Sequence, residues 1–231
     1  MRKIFFSSPV SFFPKHYSWL KRILAQALFL CASIVIRDRE NLLTQKDVRQ
    51  ARHVLKRGDV VLVGNLRILF SKFVRSPVTH SMLYIGRGRF VHAMGDGVGY
   101  ITYHEVAIMY DTIVILRISE HSRAHAITTK AINFAKLQVG KAYNFFLSDE
   151  DLSFFCSQLV NNAYLYAEYN TKLESRKPSH FGIDTIVHPI KFDTGILRAG
   201  DFVKGNFDVV FTSHNVVVVE DRLGFVDPDN G

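Results

Sequence analysis

Three side chains in this sequence are of the types that activated-thiol chemistry requires: Cys156, His80 and His92. Cys156 stands about three residues beyond Ser153, which reads as the N-cap of a helix running to about Tyr169. The first turn of a helix turns backbone N–H groups and the positive end of its dipole toward such a sulfur, and both favour thiolate over thiol. A nucleophilic thiol also needs a base within hydrogen-bond reach. His80 opens an apparent strand soon after Pro77, and His92 lies on the return strand. The same residue types would also suit a zinc ion with water as fourth ligand. A cysteine on an apolar helix is by default a packing residue, and Cys31, inside an apolar run, reads as an inert core thiol.

The hairpin that would carry the two histidines decides whether they can meet. Val60–Val63 reads as a buried strand after a Gly-Asp turn, His80–Ile85 as a second strand and Phe90–Ala93 as its return. A two-residue loop, Arg87-Gly88, would set His92 opposite Leu83 and on the other face from His80. A three-residue loop, Gly86-Arg87-Gly88, sets His92 opposite Met82, with His80 a diagonal neighbour on the same face. The glycines permit this second register.

Further elements follow from periodicity. Asn41–Lys56 reads as a helix, as do Ser122–Val139, stopped by Gly140, and a helical turn over Leu66–Phe73. Thr112–Ile118, Ile190–Phe192, Asp208–Thr212 and Val216–Glu220 read as strands. Gly95, Gly97 and Gly99 read as a loose connection without phosphate-loop spacing. The class is α+β, a helix on a mostly antiparallel sheet. His121 and His125, four apart, have no evident third ligand, and the other histidines read as surface or structural. No cofactor and no metal are expected.

The formal net charge of +8 is unevenly spread. Residues 1–75 hold 15 Lys/Arg against 4 Asp/Glu, whereas residues 76–231 hold 14 against 17. Two cysteines exclude a disulfide framework. The apolar run Ile23–Ile36, flanked by Lys21, Arg22 and Arg37 with Trp19 at its edge, would be about 21 Å long as a helix, too short to cross a ~30 Å hydrocarbon core. It reads as a helix on the domain or in a membrane interface, with a secretory signal or short anchor as alternatives. The division expected is residues 1–48 as a basic extension and 49–231 as the domain.

Four ordered blocks resemble the YiiX/YebB-like branch of permuted NlpC/P60 proteins: Gly58-Asp59-Val60-Val61-Leu62, Ser76-Pro77-Val78-Thr79-His80-Ser81-Met82-Leu83-Tyr84-Ile85-Gly86, Gly140-Lys141-Ala142-Tyr143-Asn144 and Phe154-Phe155-Cys156-Ser157-Gln158-Leu159-Val160. The resemblance implies a circularly permuted papain-like fold, its antiparallel sheet packed on the cysteine-bearing helix, with an N-terminal helical extension. It implies Cys156 as nucleophile and His80 as its base. His92 stands where this branch often has an acid, and a His-His-Cys set is similar to lecithin:retinol acyltransferase-like proteins. Ala142, Asn144 and Gln158 depart from the branch's Pro, Asp and Glu.

These readings lead to a cysteine hydrolase or acyltransferase acting on an amide or ester bond, with a lipid or acylated substrate favoured. The alternatives are a peptide or cell-wall amidase of the same fold and a non-catalytic docking module. The basic, aromatic segment 1–40 suits an anionic membrane surface, in keeping with a cytoplasmic or peripheral membrane location, while a secreted one stays open. Nucleic acid is a weaker partner, because no recognition signature is present.

Overall fold

The computed structural model describes residues 10, 13–15, 17–35, 42–68, 71, 76–145, 153–173 and 197–226. The expectations for most of the arm before Trp19, for Ile190–Phe192 and for much of Leu66–Phe73 lie outside the described residues, as do His16, His180 and His188. The elements in chain order are α1 (Trp19–Ala32), α2 (Gln45–Val54), β1 (Val60–Gly64), β2 (His80–Gly86), β3 (Arg89–Met94), β4 (Gly97–Thr102), α3 (Tyr103–Met109), β5 (Thr112–Ile118), α4 (Ala124–Leu137), β6 (Ala142–Tyr143), β7 (Ser153–Phe154), α5 (Cys156–Tyr166), a 3-10 turn (Ala199–Lys204), β8 (Phe207–Thr212), β9 (Val216–Val219) and β10 (Arg222–Phe225).

Six strands form one sheet in the order β4-β3-β2-β1-β5-β8, each pair antiparallel. β1 is wholly buried at its centre, and successive side chains of a strand point to opposite faces. Val60 and Leu62 join Leu83 and Ile85 against Ala131 and Ile132 of α4 and Leu159 and Val160 of α5. Val61 and Val63 join Met82 and Phe90 against Ala51 of α2 and Val106 of α3. Both faces are covered, which is why the β1 segment is apolar at every position instead of alternating.

The Gly58-Asp59 block is a structural device. Gly58 has φ +90°, and a Cβ there would come within 2.3 Å of Thr128 Cγ2. The Gly58 carbonyl accepts a hydrogen bond from the buried Tyr164 hydroxyl of α5. Asp59, 1% exposed, accepts from Arg117 Nε and Nη2, both at 2.8 Å, and from the Lys56 N–H at 2.7 Å. This cluster joins the start of β1 to β5 and α5.

Several elements differ from the sequence expectation. Gly97–Thr102 is an edge strand rather than a loose connection: it pairs with all of β3, because the ladder satisfies a backbone that glycine propensity alone would leave irregular. The helix expected over Asn41–Lys56 is shorter, since the Thr44–Asp47 capping box starts it at Gln45. Cys31 is exposed rather than in the core. α1 presents Trp19, Leu20, Ile23 and Leu24 outward and buries Ala25. No helix among the described residues is long and apolar enough to cross a membrane.

Candidate active site

The β2–β3 hairpin realises the register that pairs the histidines, by a different turn from the one expected. The loop is the two residues Arg87 and Gly88, both with positive φ (53° and 68°), and the register shifts by one residue between Tyr84 and Gly86. The extra residue of this bulge does what a third loop residue would have done. Leu83 faces Val91, so continuing the ladder sets His92 opposite Met82 and diagonal to His80. The two rings meet: His80 Nε2 and His92 Nδ1 are 3.1 Å apart, with ring planes at 79°.

Both rings are buried. Burial lowers His80 to about 4. Burial, aided by the neighbouring His80, lowers His92 to about 3, against a small opposing pull from Asp96 and Glu105. Both are therefore neutral near pH 7. A neutral imidazole has one N–H and one lone pair. If His80 donates through Nε2 to His92, its Nδ1 keeps the lone pair that a base requires.

Burial of two neutral imidazoles has a consequence for acid stability. Their folded pKa values lie below the ordinary 6.5, so the unfolded chain binds more protons as pH falls. Their contribution is complete above about pH 6.5 and is lost as pH drops toward 4. From pH 7 to 5 the pair is expected to cost on the order of 3 kcal/mol of unfolding free energy. Urea titrations should show this fall in the native protein and a flatter profile in the His80→Gln/His92→Gln variant. Equal slopes would refute the linkage.

Tyr110 was not singled out by the sequence reading. Its ring lies flat over His80, centroids 6.0 Å apart and planes within 4°. Its hydroxyl is pushed well above its ordinary value, by burial and then by the electrostatic influence of Cys156. One tyrosine thus stacks on the histidine and lies within electrostatic range of the cysteine. Its position between α3 and β5 has no local pattern that would have flagged it.

Cys156 is the first residue of α5. The expected cap, Ser153, does not cap it. Ser153–Phe154 is drawn into parallel pairing with Ala142–Tyr143, and Phe155 becomes the extended N-cap residue. The Phe155 N–H is held by Gln158 Oε1 at 3.4 Å. Cys156 therefore sits at the leading end of the helix, where backbone N–H groups lack intrahelical partners and the dipole is strongest. The thiol is partly exposed, and its Sγ lies 3.8 Å from Ser157 Oγ, which is 3.4 Å from Ser81 Oγ on β2.

The histidine pair is thus brought together, whereas no hydrogen bond joins Cys156 to His80. The alternation of β2 puts His80 on the Met82 face, while α5 packs on the Leu83 face. Both stand at leading ends, His80 of β2 and Cys156 of α5. Hydrogen bonds at unliganded catalytic sites are commonly long and tighten when substrate binds.

An antiparallel sheet whose histidine strand precedes the cysteine helix in the chain is a circularly permuted papain-like fold. The model of the permuted papain-like amidase enzymes, YaeF/YiiX, C92 family, matches residues 54–179. The chain belongs to that family, whose members are hydrolases. Among solved structures, the crystal structure of the metalloprotein YiiX from Escherichia coli O157:H7 superimposes with a TM-score of 0.54 at 17% identity, over 68% of this chain and 97% of that one. No curated protein matches. In this chain no group of three or more His, Cys, Asp or Glu side chains stands together to hold a metal ion among the described residues.

Proposed function

We propose that this chain opens an amide or ester bond through an acyl-enzyme on Cys156, with His80 as base and His92 as its positioning partner. The observation that carries the reading is the 3.1 Å pairing of His80 Nε2 with His92 Nδ1: with a neutral His80 as its donor, the His80 Nδ1 lone pair accepts the thiol proton. The thiolate attacks the acyl carbonyl, and the backbone N–H of Cys156 is the first donor to the developing oxyanion. The imidazolium returns its proton to the leaving amine or alcohol. Water, or an acceptor hydroxyl in the transferase version, then releases the acyl group.

A lipid or lipid-modified acyl substrate is the favoured class. The support is the place of α1. A Cβ on Gly95, in the β3–β4 turn just beyond His92, would come within 2.2 Å of Phe29 of α1. Phe29 also packs edge-on against Phe145, which in turn packs on Tyr143, whose hydroxyl is raised by burial and by Cys156. Trp19, Leu20 and Ile23 stay exposed beside the cations Lys21 and Arg22, a combination suited to an anionic lipid interface.

Purified protein should be incubated with an N-acyl amide, a phospholipid and an unacylated peptide. Intact-mass detection of an adduct on Cys156 from either acyl substrate is the expected result, and an adduct from the peptide alone would move the assignment to a peptide amidase. Trp19→Asp/Ile23→Asp is expected to abolish flotation with vesicles containing phosphatidylglycerol. Unchanged flotation would remove the lipid part of the proposal.

A further inference from the structure

The tip of the β2–β3 hairpin carries a second feature, at the far end of β2 from His80. A cleft of about 440 Å³ opens there, lined by Arg57, Arg87, Arg89 and Lys136 together with Tyr84 and Gly86. The cations come from different places: Arg57 precedes β1, Arg87 is in the turn, Arg89 begins β3 and Lys136 is in the last turn of α4. All four are exposed, and no Asp or Glu lines the cleft. None of the four makes an ion pair among the described residues, whereas Arg67, Arg117 and Lys130 each have a carboxylate. The nearest acid in sequence, Asp59, is occupied by Arg117.

Local geometry favours the cations here. Arg87 adopts φ +53° at the first position of a turn that favours Asn, Asp or Gly there. A non-glycine residue in this conformation is strained, and this one holds a positive charge over the cleft. Gly86 has φ +95°, and a Cβ on it would come within 2.9 Å of Arg57 Cγ, so the bare glycine lets the Arg57 stem cross the strand. The Arg89 guanidinium lies over the Tyr100 ring, 5.9 Å from its centroid.

We propose that this cleft binds a ligand bearing two or more phosphate groups. Four cations with no carboxylate partner among the described residues, around one concavity, match such a charge, and guanidinium forks suit phosphate oxygens. The phosphates could be those of a soluble metabolite or of a phosphorylated lipid headgroup. The tip is six residues along β2 from His80, about 20 Å at ~3.3 Å per residue, so the cleft is a site separate from the acyl chemistry.

Tripolyphosphate titrated calorimetrically into the full chain is expected to bind saturably. Arg57→Gln or Arg89→Gln should each weaken it about threefold to tenfold, and Arg57→Gln/Arg87→Asn/Arg89→Gln/Lys136→Gln should abolish it. Arg87→Asn alone is the sharpest variant. Asn tolerates the positive φ, so the thermal midpoint should rise while phosphate affinity falls, a divergence that general damage to the fold would not produce. Flotation with phosphatidylcholine vesicles containing phosphatidylinositol bisphosphate distinguishes the sources. Flotation that tripolyphosphate competes away assigns a headgroup, and binding of tripolyphosphate without flotation assigns a soluble ligand. Failure of both probes to bind saturably, or equal affinity in the quadruple variant, overturns the proposal. Neither outcome bears on Cys156.

Discussion

Replacing His80 with alanine is expected to slow turnover of an acyl substrate by about 10²–10⁴-fold, the range associated with loss of a positioned general base. The same change should be visible without any substrate. An unassisted thiol of pKa near 8.5 is only about 3% thiolate at pH 7. Full ionisation by a neighbouring imidazole therefore raises the alkylation rate at most about 30-fold. Iodoacetamide should label Cys156 faster than Cys31 in the native protein, and His80→Ala should remove most of that advantage. Cys31 is a demanding internal control, because it is exposed whereas Cys156 is only partly so. Accessibility alone would favour Cys31. Should Cys156 react no faster than Cys31, or keep its rate without His80, the nucleophile–base assignment fails.

The second large effect is on stability. Asp59→Ala removes the acceptor of two Arg117 hydrogen bonds and of the Lys56 N–H, and leaves a partly buried guanidinium without its charge partner. Breaking such a pair costs about 3–5 kcal/mol. Arg117 retains 28% side-chain exposure and can recruit water, which places the expectation near the lower figure. Against a typical unfolding free energy of about 5–15 kcal/mol this is a large fraction. It corresponds to a fall of roughly 6–12 °C in the thermal midpoint for a chain of this size. The double variant Asp59→Ala/Arg117→Met should recover part of the loss, since the stranded charge is gone. A loss under about 1 kcal/mol, or a double variant worse than the single one, would show that the pair does not anchor β1 to β5.

The Gly-Asp block and the paired histidines are both legible in the sequence, but for different reasons. Gly58-Asp59 announces a turn ahead of an apolar run, and the structure adds the partners 58 residues further on that make the aspartate necessary. The histidine pair followed from strand alternation once a register was assumed. The register came out through a bulge next to a two-residue turn, and not through a three-residue loop. Both routes insert one residue, so His80 and His92 come to the same face either way. The misreadings share a cause. Ser153 has the chemistry of an N-cap, yet pairing with Ala142 takes its backbone out of position. Gly97 and Gly99 discourage an isolated strand, yet β3 offers them a complete ladder.

The chain's own pattern of residues determined the chemical repertoire: a cysteine at the start of a helix, two histidines on adjacent strands, and a permuted order in which the histidine strand comes first. These are local properties, set by side-chain type, spacing and short-range backbone preference. Tertiary structure alone decided that Tyr110 stacks on His80, that burial keeps both imidazoles neutral, that Cys31 faces solvent, and that four cations from separate elements surround one cleft. Such properties depend on which distant segments exclude water from one another, and no window of the sequence contains both partners.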